Sequence, residues 1–477
     1  MLTRVQNLNT DSSDLAAMFS RSRAGSFSGR LLLLLVTFLL LTGAWGAPVL
    51  AEDWPQWQGP RRDSVWQETG LLTKFPASGP KVLWKAPLNV GYAGPAVSQG
   101  RVVVLDFANE EPDIVGLGFQ QKKIPGQERV VCLDAKTGDK LWHHAYETTY
   151  NIQYPSGPRC TPTIHDGLVY ALGAMGDLTC LRLADGQVVW SKNFVKDFGS
   201  EVPVWGYAGH PLVHGDLLIV SPGGEGNSTV AFDRKTGAVR WKALTAKDPG
   251  YSPPTVIKHN GQEQLLIWNT DGLFSLNPLT GAEYWSLPIK VDYNMPVMTP
   301  RLAGDNLFVS GVEATSAWIA LGKAESGGGK SPTAEIAWRG TPKNSLATVN
   351  SAPFVQGDYV YGSHVSGPFR CVKLADGAVQ WEAFEPTVGK DLGGQKSRSG
   401  TAFVVKNGER FLIFSETGDL IIAQLLPEKY TEISRAKIIE PTGTAWGRAL
   451  VWSHPAFANK CVFARNDKEI VCVSLAE

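Results

Sequence analysis

The chain has 477 residues, of which 43% are hydrophobic and 19% charged, with 50 glycines, 30 prolines and 16 tryptophans. This composition is typical of a folded, turn-rich protein and excludes a disordered or coiled-coil chain. Lysine plus arginine and aspartate plus glutamate are balanced at 45 each, so the formal net charge is zero. Without a basic surplus to attract a polyanion, we expect no nucleic-acid partner.

The first 51 residues predict an export signal. Downstream of several arginines, residues 31–42 form an apolar run that as a helix would span only about 18 Å, against roughly 30 Å for the hydrocarbon core of a bilayer. Small residues follow, so we interpret 1–51 as a signal peptide cleaved to leave Glu52 as the mature start. A retained inner-membrane anchor over 31–50 is the alternative, and Met18 competes with Met1 as the start of translation. Both interpretations predict an extracytoplasmic protein, either periplasmic or secreted.

From residue 79 onward, the sequence repeats a unit of two short strands joined by a turn and closed by tryptophan. The turn is Asp/Asn-x-x-Thr-Gly or Ala-Asp-Gly, which supplies the positive φ of a tight hairpin. The clear units end at Trp142, Trp190, Trp241, Trp285 and Trp381. Two further units are degenerate: one ends at Trp338, and in the other Ile433 takes the place of tryptophan. We expect each Trp to pack between neighbouring sheets.

A further pair of strands lies upstream of each turn, as in residues 162–173 and 353–364. Each repeat therefore contains four strands. A four-stranded repeat of about 50 residues is typical of a propeller blade and not of a helical solenoid.

The two ends of the repeat region predict how the ring closes. Residues 454–475 provide only three strands, and 79–88 provides the missing outer strand, with Trp84. Such pairing also covers a sheet edge that would otherwise be exposed. The sequence thus predicts an all-β, eight-bladed β-propeller of four-stranded blades over 79–477, preceded by an N-terminal segment, 52–78. The N-terminal strand joins the C-terminal blade.

Six cysteines in an exported chain raise the question of disulfides. Cys132, Cys180, Cys371 and Cys472 occupy the same place in four repeats, on a strand between hydrophobic neighbours. Equivalent positions in separate blades lie too far apart to bridge. We therefore expect these cysteines to fill the core as small side chains.

The Trp-ended turns resemble the repeats of the pyrroloquinoline-quinone (PQQ) superfamily, which includes quinoprotein alcohol dehydrogenases and BamB-like propellers. The segment DWPQWQGPRRDSVW (53–66) also looks like the N-terminal motif of many secreted bacterial members. The resemblance covers roughly residues 53–477 and implies the fold far more than an activity. The chain lacks the adjacent Cys pair of the dehydrogenases and a C-x-x-C-H haem motif, and we recognise no calcium-binding set. The lipid-attachment cysteine of BamB is missing as well.

The loops that enter the innermost strands of a propeller open on one face around its channel, where function concentrates. Our candidate cofactor-binding residues on this face are Arg159, Arg398, Trp205, Tyr207, His210, Trp452 and His454. The two arginines rank first because a guanidinium that points into a channel needs an acidic partner or an anionic ligand. The aromatic residues would equally serve to wedge the inner ends of the blades. The histidines are scattered, so we predict no metal site, and no residue is assigned a catalytic role.

An insertion over 107–128 is longer than any matching loop and contains Phe119. It fits a lid, a docking arm or a tolerated excursion of the chain.

Two functions from different classes remain open at this point. The first is a monomeric binding or scaffold propeller of the cell envelope, similar to BamB, whose loop face engages an envelope protein or polymer. The alternative is a divergent PQQ-dependent dehydrogenase that oxidises an alcohol or sugar, with Arg159 or Arg398 facing the quinone carboxylates. PQQ with calcium is the cofactor set that the resemblance implies, and no motif in the sequence supports it.

Overall fold

The structure is a computed structural model that describes residues 52–313, 315–322, 332–341 and 344–477. The predicted signal peptide or anchor, 1–51, lies outside the described residues. Within the described ranges, no helix is long and apolar enough to cross a membrane.

The described chain forms eight antiparallel sheets of four strands, which are the blades of a propeller. Strand β1 (Val82–Pro87) precedes them in sequence. Blade 1 contains β2 (Ala96–Ser98), β3 (Arg101–Asn109), β4 (Ile124–Asp134) and β5 (Lys140–Tyr150). Blade 2 contains β6 (Thr163–His165), β7 (Leu168–Leu172), β8 (Asp177–Arg182) and β9 (Val188–Asn193). Blade 3 contains β10 (Leu212–His214), β11 (Leu217–Val220), β12 (Thr229–Asp233) and β13 (Val239–Ala243). Blade 4 contains β14 (Thr255–His259), β15 (Gln262–Trp268), β16 (Leu273–Leu276) and β17 (Glu283–Leu287).

The second half of the chain repeats this pattern. Blade 5 contains β18 (Arg301–Ala303), β19 (Asn306–Ser310), β20 (Ser316–Gly322) and β21 (Thr333–Arg339). Blade 6 contains β22 (Phe354–Gln356), β23 (Tyr359–Ser363), β24 (Phe369–Lys373) and β25 (Val379–Ala383). Blade 7 contains β26 (Ala402–Asn407), β27 (Arg410–Ser415), β28 (Asp419–Leu425) and β29 (Tyr430–Lys437). A separate hairpin, β30 (Gly443–Ala445) and β31 (Arg448–Leu450), precedes blade 8, which contains β32 (Ala456–Ala458), β33 (Cys461–Arg465) and β34 (Glu469–Ser474).

Helical structure is confined to short segments in the loops. The described residues contain one α-helix, α1 (Phe194–Phe198), and 3-10 turns at Ile114–Gly116, Asp292–Asn294 and Gly394–Ser397. The first strands of neighbouring blades, such as β2, β6 and β10, contact one another, so these short strands line the inside of the ring.

The ring closes as predicted. Strand β1 pairs antiparallel with β34, with Lys85 opposite Val471 and Ala86 opposite Ile470. The N-terminal strand is therefore the outer strand of blade 8, and the predicted eight-bladed all-β propeller is confirmed.

Six of the seven outer-strand tryptophans donate through Nε1 to a carbonyl in the turn of the next blade, whereas Trp285 donates to Gln264 of its own blade. Trp142 of blade 1 donates through Nε1 to the carbonyl of Leu183 in blade 2, at 2.9 Å. A Cβ added at Gly186, in the same turn, would lie 2.5 Å from the Trp142 ring. Glycine is thus required at this position for two reasons. Its φ is +74°, and the Trp142 ring occupies the space that a side chain would need.

The prediction for Ile433 was wrong. In every blade a β-bulge skips the residue before the tryptophan position, and in blade 7 the skipped residue is Ile433. Ser434, opposite Ile422, therefore takes the tryptophan position, while Ile433 is 38% exposed. Phe75, from the N-terminal segment, donates its N–H to Ser434 Oγ at 3.0 Å and packs into the hydrophobic core around Ile422.

The cysteines behave as predicted. All six are buried free thiols. The four equivalent ones each lie directly opposite the tryptophan of their own blade, as Cys132 does opposite Trp142. They fill the space beside a large ring.

The N-terminal segment runs across the inner ends of the blades. Trp54 pairs with Val97 of blade 1 in an isolated bridge. The backbone N–H of Trp66 donates to the carbonyl of Lys406 in blade 7 at 2.9 Å. Between these points, Arg62 donates to the carbonyl of Pro211 at 3.1 Å, and Arg301 donates to the carbonyl of Arg62 at 3.2 Å. These bonds hold residues 54–66 against several blades.

Candidate functional site

A cavity of about 390 Å³ lies inside the ring, where the loops before the eight innermost strands converge. We call it the cup. Its lining is mostly aromatic and aliphatic, and each of the eight loops contributes to it. None of the described residues that line it is Asp, Glu, Lys or Cys. Six of the seven predicted site residues line the cup: Arg159, Arg398, Trp205, His210, Trp452 and His454.

Tyr207 is the predicted site residue that the structure places elsewhere. Its side chain is 2% exposed and packs edge-on against Phe194 in the core between blades. Its hydroxyl donates to the carbonyl of Pro222 at 3.1 Å. Gly206 lies between them with a φ of 70° and turns the chain, so Trp205 faces the cup while Tyr207 supports the loop that carries it.

The floor of the cup is Trp57, from the N-terminal segment. Its ring stacks on His210, with centroids 4.8 Å apart and planes 18° apart. Its Nε1 donates to Nε2 of His454 at 3.4 Å. In the sequence, the motif that contains Trp57 indicates only a family resemblance, and the folded chain shows that this residue reaches the channel.

The two histidines of the floor are neutral. Burial lowers the pKa of His454 to about 3 and lowers the pKa of His210 well below its usual value. Nδ1 of His210 accepts from the backbone N–H of Thr161 at 2.9 Å, so that ring nitrogen carries no proton. The floor therefore presents uncharged rings to the cup.

Two segments, the 107–128 insertion and the β30–β31 hairpin, bring together aromatic residues at the mouth of the cup. Phe119, from the 107–128 insertion, packs on Tyr154 at 4.9 Å and on Trp446 at 5.8 Å between ring centroids. Trp446 sits at the tip of the β30–β31 hairpin, in the turn that it forms with Gly447, and no sequence pattern marked it as a site residue. The insertion is therefore part of the cup, and Thr444 ties the hairpin to it by donating to the carbonyl of Val115 at 3.1 Å.

Three aromatic residues around the cup have left-handed backbones. Tyr154, Tyr293 and Trp446 have φ values of 46°, 60° and 52°, and all three line the cavity. Bulky residues avoid this region at a cost of about 1–2 kcal/mol each, and such conformations cluster at functional sites. Tyr293 is also 65% exposed, so its ring stands at the mouth with little packing of its own.

Arg398 has an acidic partner. Its Nη2 donates to Glu313, and its guanidinium lies 5.6 Å from the centre of the Trp446 ring. A second ion pair lies behind the cup, where Arg448 donates through Nε to the buried Glu416 at 2.5 Å. Glu416 also accepts from Nε1 of Trp452 at 3.3 Å, so this pair fixes one wall of the cup.

Arg159 has no such partner. Its guanidinium donates to the backbone carbonyls of Gly157, Gln153 and Tyr154 and lies 5.2 Å from the centre of the Tyr92 ring. Across the described ranges, no carboxylate lies within salt-bridge distance of it. Burial lowers the pKa of Arg159. The sequence ranked the two arginines together, whereas the structure gives them different surroundings.

Among the described residues, no three His, Cys, Asp or Glu side chains lie close enough together to hold a metal ion. A planar quinone with carboxylates fits the flat aromatic lining and Arg159. Within the part of the chain that the structure describes, the lining offers no carboxylate oxygens for calcium, which takes several oxygen ligands. The cup thus fits the ring of PQQ and does not fit its usual metal partner.

Comparisons with known proteins place the chain among PQQ-repeat propellers. A family profile described as outer membrane protein assembly factor BamB matches residues 126–383. The BamB of Shewanella oneidensis is 24% identical over 243 residues, 47% of this chain and 56% of that protein. The dehydrogenase subunit of the quinone alcohol dehydrogenase of Komagataeibacter europaeus is 26% identical over 148 residues, 28% of this chain and 19% of that protein.

A solved structure shares the same fold. The quinohemoprotein alcohol dehydrogenase of Comamonas testosteroni superposes with a TM-score of 0.55 at 12% identity, over 89% of this chain and 80% of that one. At such low identity the likeness concerns the fold alone.

Proposed function

This chain belongs to the family of the outer membrane protein assembly factor BamB, and from that membership we propose that it is an extracytoplasmic binding module of the cell envelope. Its cup and the loops around the cup hold a segment of a partner protein. The chain spans about half the length of the BamB relative that it matches, so the partner is proposed here and not transferred.

The lining of the cup is the observation that carries this proposal. It is a pre-formed cavity lined mainly by aromatic and aliphatic side chains, and none of its described lining residues is acidic, a lysine or a cysteine. Rigid aromatic pockets of this kind anchor side chains of a binding partner, since tyrosine and tryptophan bury large areas at low cost in conformational entropy. The exposed Tyr293 at the mouth would be buried by such a partner.

Site-specific photo-crosslinking in cells tests the proposal. A photoreactive phenylalanine analogue is placed at Tyr293 or, as a control, at Leu279, since each residue is 65% exposed and Leu279 lies in an outer turn of blade 4. We expect position 293 to cross-link to envelope proteins identified by mass spectrometry, and position 279 to give none of these. Equal cross-linking at both positions, or none at 293, would contradict the proposal.

A quinone-dependent dehydrogenase is the second candidate function, and Arg159 is the observation that favours it. A guanidinium bonded only to carbonyls, beside flat aromatic walls, suits the carboxylates of a planar quinone. Calorimetric titration of the protein with PQQ, with and without calcium, tests it. Saturable binding at micromolar affinity, lost in Arg159→Met and kept in the surface control Arg182→Met, would support the dehydrogenase. A flat titration of well-folded protein would remove it.

A further inference from the structure

The charge inside the cup is unbalanced. Arg159 is the lining residue that brings a positive charge without a carboxylate beside it, since Arg398 is paired with Glu313. The acid that acts on Arg159 from farther away is Glu128, which already accepts hydrogen bonds from the hydroxyls of Tyr146 and Tyr150. A partner that enters the cup therefore meets a cationic group with unused capacity for an anion.

The hydrogen bonds of Arg159 leave part of its guanidinium group free. Its bonds to three carbonyls use three of the five N–H donors of a guanidinium. Arg465 shows that carbonyls alone are able to hold a guanidinium in this fold, because it is fully buried and donates to Leu105, Asn89 and Asn466. Arg159 differs from Arg465 in being partly exposed to a cavity. Within the described residues, its two remaining N–H donors, on Nε and Nη1, make no hydrogen bond.

The apolar part of the cup defines the rest of the ligand. Trp57 offers a flat floor. The Trp452 ring lies beside both Tyr92 and Tyr154, with centroid distances of 6.5 and 5.8 Å. Aromatic rings pack on one another in offset or edge-on arrangements that stabilise the pair beyond the area that they bury. An aromatic side chain matches these walls better than an aliphatic one.

We propose that the cup binds an aromatic residue of a partner polypeptide whose neighbouring acidic residue pairs with Arg159. This inference rests on the proposed binding function and names the partner segment that the site selects. The carboxylate supplies the counter-charge that the lining lacks, and the ring fills the space above Trp57. Charge complementarity inside a desolvated pocket makes such a pair strong and specific.

Isothermal titration of the full protein with four capped tetrapeptides tests the proposal. The peptides are acetyl-Gly-Trp-Glu-Gly-amide, its Glu-to-Gln form, its Trp-to-Ala form, and the form with both changes. We expect the Glu-to-Gln change to weaken binding about tenfold, as loss of a charged hydrogen bond does, and the Trp-to-Ala change to abolish binding. The peptide comparison on the wild-type protein does not depend on the folding of any variant.

Variants of the protein complete a double-mutant cycle. In Arg159→Met, the Glu and Gln peptides should bind within about twofold of each other, because the group that distinguishes them is gone. In the control Arg182→Met, which removes an exposed arginine paired with Asp185, the tenfold preference should remain. Arg159→Lys should keep a reduced preference for the Glu peptide.

The outcomes separate this inference from the proposed function. If the Glu and Gln peptides bind the wild type equally, or indole-3-acetate binds as tightly as the peptide, the inference is overturned. If no peptide binds while position 293 still cross-links to envelope proteins, the inference fails and the proposed function stands. If the cross-links also fail, both are rejected.

Discussion

Single side chains decide what the cup is able to bind. The sequence marked Arg159 and Arg398 as equals, and the fold neutralised one of them with Glu313, which lies 85 residues away in the chain. The same holds for the floor, where Trp57 meets His454 across 397 residues. Contacts of this range follow from which loops meet at the axis of the ring, so no local pattern predicts them.

The neutral histidines of the floor predict a loss of stability in acid. His454 has a folded-state pKa of about 3, below the usual value of 6.5. Above pH 6.5 both the folded and the unfolded chain hold it neutral, so stability is full. Below pH 6.5 the unfolded chain binds the proton first, and the free energy of unfolding falls until the pH approaches 3. From pH 7 to pH 5 this residue accounts for at most about 2 kcal/mol.

Denaturant unfolding at pH 7 and pH 5 measures this effect. His454→Gln should lose less stability between the two pH values than the wild type does. Phe457→Leu is the control, since Phe457 is fully buried beside Trp54 and does not titrate. It should lower the free energy of unfolding by the same amount at both pH values. An unchanged pH dependence in His454→Gln would contradict the prediction.

At the scale of the element, the hairpin turn and the outer tryptophan act as one unit. The turn motif and the Trp are both visible in the sequence, which predicts the hairpin that contains them. The partner of most of these tryptophans is the turn of the next blade, as Trp142 shows with Gly186. The β-bulge before the tryptophan position explains why the sequence assigned this position wrongly to Ile433. Ile433 is the residue that the bulge leaves without a partner, and Ser434 takes the position instead.

Two glycines of blade 2 separate backbone strain from this packing. Gly186 and Gly167 have φ values of 74° and 73°, but only a Cβ at Gly186 meets an atom within 4 Å, namely in Trp142. Gly167→Ala should lower the free energy of unfolding by about 1 kcal/mol through backbone strain. Gly186→Ala should cost about 1–3 kcal/mol more, because the methyl group displaces the indole. Thermal unfolding of both variants checks the difference. Equal losses of stability would contradict the packing of Trp142 against Gly186.

The whole molecule depends on its closure. Strand β1 joins blade 8 and carries Trp84, which is 8% exposed and donates through Nε1 to the carbonyl of Ala135 in blade 1 at 3.0 Å. Closure gives blade 8 its fourth, outer strand and brings the N-terminal segment to the channel. The floor of the cup therefore exists only in the closed ring.

Loss of the closing tryptophan should loosen the N-terminal region specifically. Trp84→Ala and the control Trp190→Ala remove equally buried rings, at 8% and 9% exposure, and each should cost about 3–5 kcal/mol. Only Trp84→Ala should speed amide hydrogen exchange in β1 and in residues 54–66. Exchange measured by mass spectrometry distinguishes the two variants. Protection of β1 that is unchanged in Trp84→Ala would show that closure does not rest on this contact.

The sequence by itself determined the architecture of this protein, because a propeller repeats one short-range pattern of strands, turns and tryptophans in every blade. It also located most of the cup, since the loop before each innermost strand has a fixed place in that repeat. Only the tertiary structure decided which residues face the cup together: Trp57 as its floor, Trp446 at its mouth, and Arg159 as its unpaired cation. These depend on contacts between distant loops at the ring axis, which are set by closure of the ring and not by any local spacing.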